Sequence, residues 1–240
     1  MPEVTLNVKL LSCSARKEEI AAMAAKLCYS KSGIDELEER ISDHDQQAFL
    51  QGVLSSGHLS VVEHISFTFG VEGVSRVLLA QLTRHRMASY SVQSQRYVSY
   101  QQGFNYIVPP KIAALGEEAV QEYHAQMKQM HTWYTKWQQL LEKGEQGNED
   151  ARFVLPGACE TKLVFTMNAR ELLHFFSLRC CNRAQWEIQQ LADRMLEICK
   201  EQSPVLFANA GPGCLRGACP EGSKTCGKQI EVRKKYRTKE

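Results

Sequence analysis

Apolar side chains recur along this chain with two periods, one typical of β-strands and the other typical of α-helices. Apolar alternation and β-rich composition predict three strands, over residues 4–10, 65–71 and 160–167. Spacings of three and four predict helices over residues 15–29, 45–55, 74–82, 116–144, 169–176 and 184–202. Because strands and helices interleave, the pattern indicates a single α/β (α+β) domain over residues 1–208, followed by a tail over residues 209–240.

The helix predicted over residues 74–82 leads into the most polar stretch of the chain. Residues 84–97 contain three arginines, one histidine and three serines. Their serines and glutamines compete with regular structure, so we expect a loop before residues 96–98 resume an extended run. Guanidinium groups suit an anionic, oxygen-rich ligand, although structural ion pairs or a solvated turn would explain the same residues. Neither Gly-x-x-x-x-Gly-Lys nor Gly-x-Gly-x-x-Gly occurs, so any phosphate must be held by side chains.

His58, Glu63 and His64 form a second concentration of polar residues, immediately before the strand predicted over residues 65–71. Their spacing is not the His-Glu-x-x-His of a helical zinc protease, so the pattern gives little support to a catalytic metal site. Histidines that only cap a turn or form hydrogen bonds within it are the alternative.

The helix after the third strand begins with a capping signal. Asn168 is a candidate N-cap, and Glu171 occupies the position that a capping box requires. Arg170, His174 and Ser177 then recur on one face of the helix, whereas the other faces are apolar. Such a polar face is costly unless it meets a ligand or an ion partner.

The net charge of the chain is small but unevenly distributed. Residues 224–240 carry seven Lys or Arg against two Glu, whereas residues 1–223 hold 22 Lys or Arg against 25 Asp or Glu. A body so close to neutral does not favour a nucleic-acid-binding surface. No apolar run reaches the ~18 residues of a membrane span and no export signal is evident, so we expect a cytoplasmic protein with reduced thiols.

Three of the nine cysteines lie in the tail. Cys214, Cys219 and Cys226 are interleaved with glycine and proline and could provide three ligands of a tetrahedral zinc site. A fourth ligand is not evident nearby, so it would come from elsewhere, such as Cys199 or a neighbouring subunit. The alternative, which the composition favours, is an unstructured basic tail with free thiols and no metal.

Several separated motifs together resemble those of the flavin-dependent thymidylate synthase family. Arg84-His85-Arg86, followed after seven residues by Ser94-Gln95-Arg96-Tyr97, is similar to the signature of that family. Further similar blocks, in the family's order, are Gly57-His58 to Glu63-His64, Asn168-Ala169-Arg170, Leu178-Arg179 and Ala184-Gln185-Trp186-Glu187-Ile188. The resemblance spans roughly residues 4–207 and leaves the cysteine-rich tail outside it.

By this resemblance the chain is expected to fold around a central β-sheet flanked by helices and to form a homotetramer with active sites at subunit interfaces. The implied enzyme is an FAD-dependent methyltransferase that converts dUMP to dTMP, with 5,10-methylenetetrahydrofolate as carbon donor and NADPH as reductant. The implied FAD site consists of Ser60, Glu63, Arg84, His85, Arg86, Asn168, Arg170 and His174. The implied dUMP site consists of Gln81, Arg84, Ser94, Arg96, Arg152 and Arg179. Neither a membrane nor a nucleic acid is an expected partner.

Arg179 is the expected catalytic residue. By the resemblance it would stabilise negative charge at the N3/O4 edge of uracil, so that C6 of the ring accepts hydride from the reduced flavin. The flavin would carry the redox chemistry, so neither a cysteine nucleophile nor a catalytic metal is expected. Cys180 and Cys181 are neighbours of Arg179, and we interpret them as packing residues.

Three positions, Ser91, Val92 and Arg183, depart from the family pattern. Ligand contacts at the first two would have to be made by the backbone, and the third replaces a histidine found in some members. Two other functions stay open. One is a flavoprotein reductase that acts on another substrate, and the other is a nucleic-acid-binding protein with a zinc knuckle in the tail and a basic arm over residues 228–239.

Overall fold

The computed structural model describes residues 1–141 and 144–237, and within them the chain forms four β-strands and eleven α-helices. The strands are β1 (Asn7–Cys13), β2 (Ser66–Ser75), β3 (Ala88–Val92) and β4 (Glu160–Asn168). The helices are α1 (Lys17–Leu27), α2 (Ile34–Ser42), α3 (Gln47–Ser55), α4 (Arg76–Leu82), α5 (Pro110–Ala113), α6 (Glu117–Leu140), α7 (Glu145–Ala151), α8 (Ala169–Arg179), α9 (Trp186–Gln202), α10 (Pro204–Phe207) and α11 (Gln229–Tyr236). Among these residues we find no helix whose length and hydropathy would suit a membrane-spanning segment.

The four strands form one sheet in the order β1-β2-β4-β3. Asn7 at the start of β1 donates a hydrogen bond to Glu72 near the end of β2. Ser14, just beyond β1, pairs through its backbone N–H with Ser66 at the start of β2. β1 and β2 are therefore antiparallel, and the contacts between β2 and β4 show the same reversal of direction. The sheet and its connecting helices confirm the predicted mixed α/β class.

The chain forms two compact units. Unit 1 comprises residues 1–9, 70–84 and 90–164, and unit 2 comprises residues 10–69, 85–89 and those from 165 onward. Each of the four strands has residues in both units. The predicted division between residues 1–208 and the tail stays a prediction.

In unit 1 an aromatic core packs against the long helix α6. Phe104 and Tyr106 are buried there together with Met127 of α6. Tyr134, two turns further along α6, is fully buried as well. The apolar spacing along α6 therefore marks packing positions, as predicted, although Trp137 is 46% exposed. The helix predicted over 116–144 ends at Leu140, and residues 142 and 143 of that prediction lie outside the described residues.

In unit 2 phenylalanine side chains join the sheet to two helices. The ring of Phe67 on β2 lies 5.5 Å from that of Phe207 on α10. Phe207 in turn lies 6.1 Å from Phe176 on α8, also edge to face. All three are fully buried, and the alternate apolar positions of β2 are buried as predicted. This core anchors the inner face of α8 and leaves the opposite face free for polar side chains.

Two local predictions around the arginine-rich stretch were wrong. Residues 89–92 belong to the stretch predicted as a loop, but they form part of strand β3. Pairing with β4 overrides the local preference of serine for turns. Residues 96–98, predicted as extended, lie in a turn in which Ser94 Oγ accepts the backbone N–H of Arg96 at 3.1 Å. α4 begins at Arg76 rather than Val74, since Ser75 caps it by accepting the N–H of Leu78 at 3.0 Å.

The tail is folded over its described residues, 209–237, and not unstructured as its composition suggested. α11 buries Val232 and Tyr236, and the Tyr236 hydroxyl donates to the Asp193 carboxylate on α9 at 2.6 Å. Only two large apolar side chains of α11 are buried among its basic residues, so the sequence pattern was too weak to predict this helix. The basic arm predicted over residues 228–239 extends beyond the described residues at its end.

Candidate active site

A cavity of about 490 Å³ lies along α8 in unit 2. Its volume is within the usual range for sites that bind a small molecule or part of a cofactor. Most of its lining residues belong to α8 and its N-cap, and the others come from three separate segments of unit 2. The lining consists of Leu59, Glu63, Met87, Asn168, Arg170, Glu171, Leu173, His174, Ser177 and Arg216.

The start of α8 gives this cavity its polar wall. Asn168 caps the helix, because its side-chain oxygen accepts the backbone N–H of Glu171 at 2.8 Å, which confirms the predicted N-cap. With the helix register fixed in this way, Arg170, His174 and Ser177 point into the cavity on one face. The polar face that the sequence predicted therefore has a cavity beside it.

Arg170 and Glu63 form an ion pair at the cavity. Glu63 directly follows a short 3₁₀ helix, Leu59–Val62, that precedes β2. Both side chains are roughly half exposed, with 51% and 43% of their side-chain surfaces accessible, so solvent screens the pair and its contribution to stability is small. Arg170 can therefore exchange Glu63 for an anionic ligand at a low cost in free energy.

His85 connects the two ends of α8 through both ring nitrogens. Its Nδ1 lies 2.9 Å from the Glu171 carboxylate, and its Nε2 accepts a hydrogen bond from Nε of Arg179 at 3.1 Å. Because a guanidinium can only donate, Nε2 carries no proton and Nδ1–H donates to Glu171, which assigns a neutral tautomer to the ring. Burial, and to a lesser degree the charge of Arg179, lower the pKa of His85, in agreement with this neutral form.

His85, Glu171 and His174 have ligand atoms within 4.8 Å of one another, a spacing that could hold a metal ion. The guanidinium of Arg179 occupies the Nε2 side of His85, and its positive charge opposes a cation at this place. The hydrogen-bond chain therefore fits these residues better than metal coordination does.

Arg216 and Met87 line the cavity although the sequence analysis did not assign them to it. Arg216 belongs to the cysteine-rich tail, which the family resemblance did not cover, so no motif pointed to it. Met87 lies inside the arginine-rich stretch but is apolar and 69% exposed. Together with Arg170, Arg216 gives the cavity two guanidinium groups, which suit a ligand with phosphates.

Three of the residues expected at the FAD site, Ser60, Arg84 and Arg86, are not among the residues that line this cavity. Ser60 lines a second cavity of unit 2, of about 470 Å³, together with His58. Arg86 is exposed and, within the part of the chain that the structure describes, does not line the first cavity. Arg84 belongs to unit 1 and is also exposed.

In unit 1 the expected phosphate-binding arginines meet at α7. Arg96 pairs with Glu145 at 2.7 Å and with Glu149 at 3.0 Å. Arg152 Nε donates to the backbone carbonyl of Glu149 at 3.0 Å, so one residue of α7 contacts both arginines. Asn148 lies inside α7 and donates to the carbonyl of Arg96 at 2.9 Å. These contacts order the two arginines and supply Arg96 with exchangeable acidic partners.

Other residues of the expected dUMP site are divided between the units. Ser94 stabilises the turn that carries Arg96, as its hydroxyl accepts two backbone N–H groups. Gln81 lies at the end of α4 in unit 1 and is half-buried. Arg179 lies in unit 2 at the end of α8. Burial lowers the pKa of Arg179, but a guanidinium remains charged at any physiological pH.

The three departures from the family pattern have structural explanations of different kinds. Ser91 and Val92 are the last residues of β3, so their backbone groups belong to an edge strand of the sheet. Arg183 donates to the carbonyl of Lys224 at 2.7 Å and pairs with Glu221 at 3.2 Å, both in the tail. In this chain Arg183 therefore holds the tail.

Comparison with known proteins finds relatives over nearly the whole chain. The family model described as thymidylate synthase complementing protein matches residues 9–205. A protein of Geobacter sulfurreducens named flavin-dependent thymidylate synthase is 51% identical over 233 residues, which cover 97% of this chain and 98% of the relative. Proteins of the same name from Clostridium tetani and Nitratidesulfovibrio vulgaris are 46% and 45% identical, covering 96% and 95% of this chain and 97% of each relative.

The imidazole of His85 is expected to titrate below its ordinary pKa of 6.5. As the pH falls below 6.5, the ring takes up a proton in the unfolded protein, whereas its lower pKa keeps it neutral in the folded protein. The contribution of His85 to the free energy of unfolding is therefore complete above pH 6.5 and is lost as the pH falls through the lower pKa of the folded state. An NMR pH titration of the histidine ring signals measures this pKa, with His85→Gln used to assign the resonance. A His85 signal that titrates above 6.5 would contradict the neutral, Arg179-bound ring.

Proposed function

We propose a function from the premise that this chain belongs to the thymidylate synthase complementing protein family: it is a flavin-dependent thymidylate synthase, an FAD-dependent methyltransferase that converts dUMP to dTMP. 5,10-Methylenetetrahydrofolate provides the carbon and NADPH the reducing equivalents. The structural observation that carries the proposal is the cavity along α8, in which Asn168, Arg170 and His174 line one wall. These are residues that the family motifs assign to the flavin.

The side chains of the cavity fit a flavin dinucleotide chemically. Arg170 and Arg216 can balance phosphate charge, while Leu59 and Leu173 provide apolar surface for a flat ring. When bound, FAD accepts electrons from NADPH and supplies the hydride for the nucleotide. We propose that Glu63, His85, Asn168, Arg170 and His174 hold it at or beside this cavity, and that Ser60, Arg84 and Arg86, which do not line the cavity, contact it from other chains of the assembly.

Arg96 and Arg152 are the proposed ligands of the dUMP phosphate. Their forked guanidinium groups can bind phosphate bidentately, and the ordered turn at Ser94 fixes the backbone beside them. Glu145 and Glu149 compete with the phosphate for Arg96, but Arg96 is about 40% exposed in these pairs, so the exchange costs little. Gln81 and Arg84 complete the proposed nucleotide-binding set with Arg179.

Arg179 is the proposed catalytic group. Its Nε is held by His85, so the planar guanidinium has a defined orientation, and its terminal nitrogens can donate to a ligand. Fixed positive charge of this kind stabilises the negative charge that develops on the uracil ring when C6 accepts hydride. His85 and Glu171 act through Arg179 and are therefore positioning residues in this proposal.

We also propose a homotetramer in which several chains contribute to each active site. Large apolar side chains on the surface support an assembly of chains, since contiguous exposed apolar surface often marks an interface. Trp133 and Trp137 of α6 are 49% and 46% exposed, and Phe153, next to Arg152, is 80% exposed. A cytoplasmic location stays a prediction.

Purified protein should be yellow, and its NADPH oxidation should be coupled to dTMP formation only when dUMP and methylenetetrahydrofolate are both present. Absorption spectroscopy and product analysis measure these two properties. A flavoprotein reductase with another substrate would oxidise NADPH at a rate indifferent to dUMP. A nucleic-acid-binding protein would instead show salt-sensitive binding to RNA or DNA that is abolished by deletion of residues 209–240. Protein that stays colourless after reconstitution with FAD would rule out the proposed function.

Arg179→Ala should lower turnover by on the order of 10²-fold or more, because one positioned charge on the developing anion is lost. Arg179→Lys should recover only part of this loss, since an ammonium lacks the planar fork that His85 orients. Single-turnover kinetics of the flavin-loaded variants measure the effect, with flavin absorbance as the control for folding. Unchanged turnover in Arg179→Ala would remove this residue from the mechanism.

Arg96→Ala should raise the KM for dUMP by about 10- to 100-fold without loss of FAD, because a charge-assisted hydrogen bond to phosphate is removed. Glu149→Gln removes an ion pair of Arg96 but keeps the guanidinium, so this variant should bind dUMP at least as well as the parent. Arg194→Ala, which breaks an exposed pair on α9, is the control for general loss of charge. If Glu149→Gln weakened dUMP binding as much as Arg96→Ala, the ion pairs of Arg96 would be purely structural.

A further inference from the structure

The nine cysteines, all with free thiols, fall into different groups by their surroundings. Three of them, Cys159, Cys180 and Cys199, are fully buried, and burial raises the pKa of each thiol, as for inert packing residues. Four others lie in unit 2 on two segments that contact each other, the turn after α8 and the tail. We call these four the cysteine cluster, and they are Cys181, Cys214, Cys219 and Cys226.

The turn after α8 is held against the tail on both sides of the cluster. Asn182 donates a hydrogen bond to the Cys226 sulfur at 3.8 Å. Arg183 pairs with Glu221 at 3.2 Å and donates to a backbone carbonyl of the same tail segment at 2.7 Å. The two residues that directly follow Cys181 therefore bind the chain segment that ends at Cys226.

Cys214 is fixed from the opposite side by α11. Its carbonyl accepts hydrogen bonds from Gln229 at 3.3 Å and from Arg233 at 3.1 Å. The hydroxyl of Tyr236 on α11 lies 3.1 Å from the backbone carbonyl of Cys180, the residue directly before Cys181. α11 therefore connects the segment of Cys214 to the turn that carries Cys181.

Cysteine thiolates are soft ligands that bind zinc well. Four cysteine sulfurs in tetrahedral arrangement are the usual ligands of a structural zinc ion, and successive tail cysteines are separated by four and six residues, enough for the chain to turn around an ion. Gly222 and Gly227 have φ angles of 53° and 72°, left-handed values that glycine adopts without strain and that permit tight turns beside the ligands.

The sulfurs are more widely spaced than in a closed zinc site. Among the described residues, the ligand atoms of His85, Glu171 and His174 lie within 4.8 Å of one another. No three sulfurs of the cysteine cluster are that close. Metal binding must therefore draw the sulfurs together. The side chains of Cys181, Cys219 and Cys226 are partly or fully exposed, so the protein core does not hold these three sulfurs in place.

We propose that Cys181, Cys214, Cys219 and Cys226 bind one structural zinc ion, which fastens the tail to the turn after α8. This site is separate from the proposed thymidylate synthase chemistry and does not depend on it. In this proposal the fourth ligand is not Cys199, since Cys199 is fully buried in the core. Cys181, which we interpreted as a packing residue, takes that place.

The proposed zinc ion would stabilise the position of two arginines at the active site. Arg216 lies between two of the ligands in sequence and lines the cavity along α8. Arg179 lies two residues before Cys181, at the end of α8. Since a structural zinc site contributes directly to folding energy, its loss would loosen both segments.

The test is metal analysis of the full-length, FAD-loaded protein, purified under reducing conditions from zinc-supplemented culture and dialysed against metal-free buffer. We expect about one zinc per chain by mass spectrometry. Cys181→Ala and Cys226→Ser should each lose it. Cobalt in place of zinc should give absorption bands of tetrahedral thiolate coordination at longer wavelengths than those of the flavin.

Cys28→Ser is the matched control, because Cys28 is exposed and lies on α1's end outside the cluster, so this variant should keep its zinc. Circular dichroism of each variant shows whether it has folded, and the exposed position of Cys226 makes that substitution the least disruptive. The proposal is overturned if the parent protein neither contains zinc nor takes it up on reconstitution. It is equally overturned if iron and sulfide replace zinc, if cluster cysteines form a disulfide in the reduced preparation, or if Cys28→Ser loses the metal.

Discussion

A buried imidazole, held between a carboxylate and a guanidinium, is the constraint on which the polar architecture of unit 2 depends. Burial removes both ring nitrogens of His85 from water, so each nitrogen needs a partner within the protein. Glu171 near the start of α8 and Arg179 at its end provide them. One side chain from the segment before β3 therefore fixes both ends of the helix that carries the cavity.

α8 has a different task on each of its sides. Its apolar side packs into the phenylalanine core with β2 and α10, which makes the helix a rigid support. Its polar side lines the cavity, and its C-terminal end leads into the turn that binds the tail. The proposed flavin site and the proposed zinc site therefore share one structural element, and the tail takes part in both through Arg216 and the cluster cysteines.

The cations of the proposed sites are already paired with partners in the protein. Arg170 is paired with Glu63, Arg96 with two glutamates, and Arg179 with a neutral histidine. The first two pairs are exposed and weak, so an anionic ligand can replace the carboxylate at little cost. The contact between Arg179 and His85 is half-buried and involves no opposite charge, so it orients the guanidinium and leaves its positive charge available.

Local patterns in the sequence determined the alternating buried face of β2, the N-cap Asn168, the polar face of α8 and the family motifs. Each of these depends on neighbouring residues in the chain, which is what periodicity and capping report. Only the tertiary structure decided that His85 joins Glu171 and Arg179, 86 and 94 residues away, that Arg216 reaches the cavity, and that the turn after α8 binds the cysteine-rich tail. These contacts follow from how the strands pair and the helices pack, because side chains distant in the chain meet only when the backbone between them has folded.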